Sequence, residues 1–330
     1  MKLFAGRGTM NQKLPDVQKS KTGFPKYFIE KVGVEGIKVN MNIKTKNYDK
    51  QQVLATISSF CSLNKNIKGI NMSRIARTIH KVLAEENTDD GFSDLEQFVI
   101  ELKRAHKAKN IYIKANFDYI IDNLTPITEI YSPEYVNITV ENIYENDEYR
   151  TLLTVKTTEM SLCPCSKEMS LLKNNLTLEE LEQVNKLPKK LKDKILLSGF
   201  GAHNQKSIIQ ITVEMAKNDF FWIEDLVDII RDSASAPTFS VLKRPDEKWV
   251  TEVAYMGGFW QNGEFKKVGG GPRFVEDITR QIIDKLNCAL DKKIVDYIVK
   301  VNNQESIHSG DISAVSIITA GRRLTSNSYI

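Results

Sequence analysis

Ile208-Ile209-Gln210-Ile211-Thr212-Val213-Glu214-Met215 is the stretch that decides the fold. Ile209, Ile211, Val213 and Met215 alternate without a break against Ile208, Gln210, Thr212 and Glu214. That period of two is the mark of a β-strand with two unlike faces. Downstream, Glu224 to Ser235 carries Leu226, Val227 and Ile230 at helical spacing. Val275 to Ala289 places Val275, Ile278, Ile282 and Leu286 on one helical stripe. Leu152 to Met160 reads as a strand before this block, and Lys293 to Val301 and Ile312 to Thr319 as strands after it. The second half of the chain therefore runs strand, strand, helix, helix, strand, strand.

The first half repeats that order. Tyr27 to Asn47 and Gln51 to Ser62 are alternating and β-branched, with Gly33 and Gly36 marking a bend. A helix from about Ser73 to Glu86 puts Ile75, Ile79, Val82 and Leu83 on one face. A second helix is expected to start at the capping box Ser93-Asp94-Leu95-Glu96 and to end near Asn110. Ile111 to Ile121 and Glu134 to Tyr144 complete the unit as strands. No long alternation of single strands with crossover helices is present, which argues against a doubly wound sheet. An α+β fold, with antiparallel sheet and helices on one face, fits better. The expected divisions are an N-terminal extension over 1–20, a first unit over 21–148 and a second over 149–330.

Two insertions interrupt the second unit. Residues 171–198 carry their own capping box, Thr177-Leu178-Glu179-Glu180, and lysines at 189, 190, 192 and 194, and read as a helical excursion on the surface. Residues 256–271 are glycine-rich, contain Phe259 and Trp260, and read as a hairpin or lid. Gly269-Gly270-Gly271 lacks the Gly-Lys-Ser/Thr ending of a phosphate loop.

At 330 residues, with 41% hydrophobic and 27% charged residues, the chain has the composition of a globular protein with a full core. No apolar run approaches the ~18 residues of a membrane span. Met1 to Gln18 is polar and basic, without a signal-peptide stretch, so a cytoplasmic location is expected. The net charge of +4 suits an anionic small substrate. Without an arginine-rich stripe or an aromatic platform between basic residues, no nucleic-acid partner is expected. Four cysteines in such a chain do not make a disulfide framework. Cys61 and Cys288 sit among apolar neighbours and are expected to be buried.

The candidate chemistry lies in Leu162-Cys163-Pro164-Cys165-Ser166-Lys167-Glu168 and Gly201-Ala202-His203-Asn204-Gln205. A thiolate and an imidazole are a good pair for a divalent metal. No second cysteine pair exists to complete a structural zinc site, which favours a catalytic site with an open coordination position. Of the four histidines, His80 and His106 fall on polar parts of helices and are expected to be solvated. His203 and His308 fall at strand edges or loops, where ligands and proton carriers belong. Glu247 lies in a charged run, Lys243-Arg244-Pro245-Asp246-Glu247-Lys248, expected as a loop. Glu276 opens a helix off its apolar stripe. There it could complement the dipole or accept two N–H bonds from a guanine edge. Glu305 precedes His308 by three.

Together with Leu14-Pro15-Asp16-Val17-Gln18, Gly69-Ile70-Asn71-Met72-Ser73-Arg74 and Pro272-Arg273-Phe274-Val275-Glu276-Asp277, these motifs closely resemble the prokaryotic GTP cyclohydrolase I of type B, in order and over nearly the whole chain. The resemblance implies a tandem tunnelling fold (T-fold) of two ββααββ units, in a homotetramer with active sites at subunit interfaces. It implies conversion of GTP to formate and 7,8-dihydroneopterin triphosphate, the entry to tetrahydrofolate synthesis. By motif position Cys163 and Glu247 look like metal ligands, with His203 and His308 at or next to the metal. Glu276 looks like the guanine anchor, and Glu305 like the polar partner of His308. Arg74, Lys243, Arg244 and Lys248 are triphosphate candidates by charge and location. The metal could be Mn²⁺, Zn²⁺ or Fe²⁺, with sulfur favouring the softer ions.

Two further readings stay open. An archaeal sister family, which makes a cyclic phosphate of dihydroneopterin, has a helical insertion where 171–198 falls. Ser166-Lys167-Glu168 and Asn71 look like the bacterial branch. A nitrile reductase of the same fold would instead use a cysteine and NADPH on a deazapurine.

Overall fold

The computed structural model describes residues 17–325, except 22, 25, 26, 48, 84–90, 173–176, 198–200, 218 and 291. The elements are β1 (Ile29–Lys44), β2 (Lys50–Leu63), α1 (Met72–Leu83), α2 (Gly91–His106), β3 (Ile111–Ile121), β4 (Glu134–Glu145) and β5 (Glu148–Leu162). They continue as α3 (Pro164–Leu172), α4 (Leu178–Lys186), α5 (Lys189–Leu197), β6 (Asn204–Met215), α6 (Ile223–Ser233) and α7 (Arg244–Met256). The remainder is β7 (Gly258–Gln261), β8 (Glu264–Lys267), α8 (Val275–Leu290), β9 (Ile294–Gln304) and β10 (Ser313–Thr319).

Eight strands make one antiparallel sheet in the order β1-β2-β3-β4-β5-β6-β9-β10. The two ββααββ units join at its centre, where Glu145 pairs with Glu148 across Asn146 and Asp147. Both turn residues have positive φ, 52° and 64°, the two-residue hairpin geometry that suits twisted strands. One face of the sheet is apolar because alternate residues are. Ile57, Ile113, Val140, Val155, Ile211 and Val299 are buried there against Ile79, Phe98, Leu226, Ile230, Ile278 and Ile282 of α1, α2, α6 and α8. The other face is polar. Thr154 and Thr212 share a hydrogen bond of 2.8 Å across β5 and β6, and Asn116 donates to Asn137 and Thr139.

The expected bend in β1 is a pair of register shifts, between Ile29 and Val32 and between Val34 and Ile37, with Gly33 between the two and Gly36 inside the second. A Cβ on Gly33 would lie 1.9 Å from the Ser59 carbonyl, and Gly36 has φ +77°. The described part of the 171–198 excursion is helical, in the end of α3 and in α4 and α5, with the Thr177–Glu180 box formed in both directions. Residues 258–267 form a two-stranded hairpin, as the glycine and aromatic pattern suggested.

Three local expectations are corrected. Ser93 lies inside α2, which already includes Gly91, so it does not cap the helix. The run from Lys243 to Lys248 is the start of helix α7, not a loop. Its charges obscured an apolar stripe that falls later, at Val250, Val253 and Ala254. Cys61 is buried as expected, and burial pushes its thiol up to about 11, but Cys288 is exposed. The helix stripe faces the sheet through Ile282 and Leu286, and Cys288 falls off it.

Candidate active site at one end of the sheet

β5 and β6 pair to their ends, Leu162 against Asn204, and the Cys163 amide then donates to the His203 carbonyl at 3.4 Å. The two chemically suggestive residues are thus brought opposite each other by strand register, across an excursion of about forty residues. Pro164 starts α3, a position where its missing N–H costs nothing. Cys163 therefore sits just ahead of the helix, and its sulfur accepts from the Ser166 amide at 3.5 Å. Ser166 also accepts from the His203 amide at 3.1 Å through its hydroxyl. Cys163 and His203 are half-buried, whereas Cys165 is exposed on α3. His203 Nδ1 is buried without a hydrogen-bond partner.

α7 braces this arrangement. The Tyr255 hydroxyl accepts from the Ala202 amide at 2.7 Å and donates to the Ala202 carbonyl at 3.2 Å. Lys167 donates to the Tyr255 carbonyl at 2.5 Å, and burial lowers the pKa of its ammonium against the pull of Glu168. The start of α7 is held by Asp246. Its carboxylate accepts from the Ile127 and Thr128 amides at 3.0 Å each, from the Thr128 hydroxyl at 2.5 Å and from the Lys243 amide at 3.1 Å. Burial alone would raise this carboxyl. The hydrogen bonds outweigh it and hold the group well below the usual carboxylate range.

The Arg273 amide donates to the Leu162 carbonyl at 3.1 Å, so the start of α8 abuts the end of β5. The Arg273 guanidinium ties the same turn to the carbonyls of Asp232 and Ala234 at 3.1 and 2.8 Å. Gly270 permits this path, since a Cβ there would meet the Ser235 carbonyl at 2.3 Å and its φ is +79°. Glu276 is exposed in the first turn of α8, three residues after this anchor. On the neighbouring strand Gln205 donates to Glu305, whose amide pairs with the Ile312 carbonyl at 3.0 Å. His308 is exposed in the loop between β9 and β10.

One end of the sheet thus gathers Cys163, His203, Glu305 and the helix start that carries Glu276. Glu247, Lys243, Arg244 and Lys248 are exposed at the start of α7, with Lys248 in an ion pair to Glu252 at 3.5 Å. Among the described residues, no three His, Cys, Asp or Glu side chains are gathered closely enough to hold a metal ion. Arg74 is elsewhere. It donates to the Ala105 carbonyl at 2.9 Å, beside the start of β3, at the end of the sheet where Ser62 pairs with Asn110. β5 spans its 15 residues from that end to the other, on the order of 45 Å.

Sequence reasoning missed Tyr255 as a positioning residue. It also gave no role to Ser166, Lys167 and Gln205, although all three lie inside the quoted motifs. The available signal was their clustering beside Cys163 and His203. Tyr255 left no such signal, because its partner is fifty-three residues away.

A family model described as type I GTP cyclohydrolase folE2 matches residues 14–314. GTP cyclohydrolase FolE2 of Magnetococcus marinus is 31% identical over 310 residues, covering 94% of this chain and 97% of its own. The GTP cyclohydrolase FolE2 of Dictyoglomus turgidum is 32% identical over 284 residues, covering 86% and 90%. Among solved structures, uricase from Arthrobacter globiformis superposes with a TM-score of 0.50 at 9% identity, covering 90% of this chain and 96% of its own. That is a likeness of fold, and it agrees with the tandem T-fold arrangement seen here.

Proposed function

The chain belongs to the type I GTP cyclohydrolase FolE2 family, and from that premise we propose a metal-dependent hydrolysis of GTP to formate and 7,8-dihydroneopterin triphosphate. The enzyme is then a cytoplasmic hydrolase of cyclic amidine C–N bonds at the head of tetrahydrofolate synthesis. The observation that carries the reading is the backbone pairing of Cys163 with His203, together with a buried His203 Nδ1 that has no hydrogen-bond partner. A buried polar atom without a partner calls for an explanation, and a cation next to the sulfur supplies one.

Cys163 and His203 would hold a divalent ion, Mn²⁺, Zn²⁺ or Fe²⁺. Glu247 becomes a third ligand only once its exposed side chain is brought to them, since among the described residues of a single chain the three are not gathered. When bound, the ion would make hydroxide available at neutral pH. The rest falls to side chains. Glu276 accepts two N–H bonds from the guanine edge and so fixes which carbon is presented. Hydration at C8 and the later release of formate both need protons delivered to ring nitrogens, the work of a histidine. His308 serves this role, or ligates the ion alongside His203, with Glu305 orienting it. Lys243, Arg244 and Lys248 hold phosphates from the near side.

Arg74 can join them only from another subunit, given its place at the far end of the sheet. This favours a homotetramer with sites completed between chains. Incubation of the purified protein with GTP and Mn²⁺ tests the proposal. Formate and a linear triphosphate are expected after oxidation of the pterin. A 2′,3′-cyclic phosphate would place the product on the archaeal branch, and the absence of formate would end the reading.

A further inference from the structure

At the Arg74 end of the sheet lies a cavity of about 590 Å³ whose lining includes Gln18, Asn71, Arg74, His106, Lys107 and Lys109. No carboxylate lines it among the described residues. Cations without counter-ions around one cavity mark a place for an anion. His106 was expected to be solvated, yet it is half-buried, and its Nε2 is buried without a partner. Burial, aided by the nearby Arg74 guanidinium, lowers the pKa of the imidazole. The ring is therefore neutral near pH 7, with one nitrogen free to donate or accept. α2 ends at this residue, and Lys107, at φ 52°, turns the chain there towards Lys109 and β3. Arg74 is fixed from behind by Asn71, which accepts its amide at 3.1 Å, and by the Ala105 carbonyl.

We infer that His106 is a substrate-binding residue, hydrogen-bonding through Nε2 to the triphosphate of GTP in the cavity it shares with Arg74, Lys107 and Lys109. A phosphate oxygen bridging a guanidinium and an imidazole N–H would satisfy the unpaired nitrogen and match Arg74 with a charged acceptor. The inference rests on the GTP reading. It adds a wall to the site that none of the sequence motifs includes, since His106 lies outside every one of them.

The experiment measures KM and kcat for GTP, and competitive inhibition by guanosine, in the wild type, His106→Phe and His106→Gln. Phenylalanine keeps the ring and removes the nitrogen, whereas glutamine keeps an N–H donor. His106→Phe is expected to raise KM for GTP about tenfold, one hydrogen bond to a charged group. kcat and guanosine inhibition should stay unchanged, and His106→Gln should recover most of the loss. An unchanged KM in His106→Phe, or a parallel loss of guanosine inhibition, overturns the inference. If the wild type releases no formate, calorimetric titration with GTP replaces KM, and equal affinities for wild type and His106→Phe overturn the inference just as well. Should His106→Phe unfold, the comparison of wild type with His106→Gln, at matched melting temperature, decides: a KM for GTP raised more than about threefold there, or GTP binding lost with guanosine binding, counts against a donor at this position.

Discussion

The two ββααββ units share one sheet and one core, yet differ in what joins their strands. In the first unit β1 reaches β2 through residues 45–49, and α1 and α2 serve the core, α1 with Ile75, Ile79, Val82 and Leu83 buried. In the second, β5 reaches β6 through 163–203, and α7 and the β7–β8 hairpin stand between α6 and α8. α4 buries none of its residues. α7 instead buries Val250, Val253 and Ala254 in a small cluster of its own with Ala236, apart from the main core, beside the end of the sheet where Cys163 and His203 meet. One scaffold is used twice, once with a short strand connection and helices that serve the core, and once with long connections mounted around the end where Cys163 and His203 meet. A stable sheet tolerates long connections, because the entropy of closing a loop rises slowly with its length.

Several changes would break or sharpen that contrast. Cys163→Ala should lower formate release by roughly three orders of magnitude and strip most bound metal, with the melting temperature nearly unchanged. Full metal occupancy measured by elemental analysis would remove the ligand role. If each site draws on both units from different chains, co-expressed Arg74→Ala and Cys163→Ala subunits should restore activity. Roughly a quarter of the sites would be intact on random mixing. No recovery over the separate variants would put both halves in one chain.

Glu276→Ala should weaken GTP binding by about 2–3 kcal/mol, roughly 30- to 150-fold, through lost charge-assisted hydrogen bonds. Calorimetry showing equal affinity would remove the anchor. Asp246 ties the 122–133 link between β3 and β4 to α7 of the second unit. Its carboxyl is held below the ordinary range, so its stabilisation is complete above the unfolded value, about 4, and fades as pH falls towards the folded value. Melting temperatures of wild type and Asp246→Asn should differ most at neutral pH and converge below about pH 4. A constant gap would mean the charge is not the cause. Thr177→Ala should cost α4 about 1 kcal/mol of local stability, seen as faster amide exchange, with turnover intact. A loss of turnover would give the excursion a part in catalysis.

Strand and helix existence was legible because periodicity is local. The Ile208–Met215 alternation and the Val275, Ile278, Ile282 and Leu286 stripe each state their own buried face. α7 was misread because five charged or kinking residues, Arg244 to Lys248, open it before its apolar stripe appears. The site was legible only as separate motifs. Nothing within a few residues of Cys163 reveals that His203 lies opposite it, or that Tyr255 grips Ala202.

From the sequence alone came the doubled order of strands and helices and the residue types fit for metal and nucleotide chemistry, since side-chain period and donor type belong to each segment by itself. The tertiary structure alone decided that Cys163 meets His203, that Arg74 stands at the opposite end and that His106 is withdrawn from water. Those outcomes depend on strand register and on which surfaces pack together, which join residues far apart in the chain and leave no local trace.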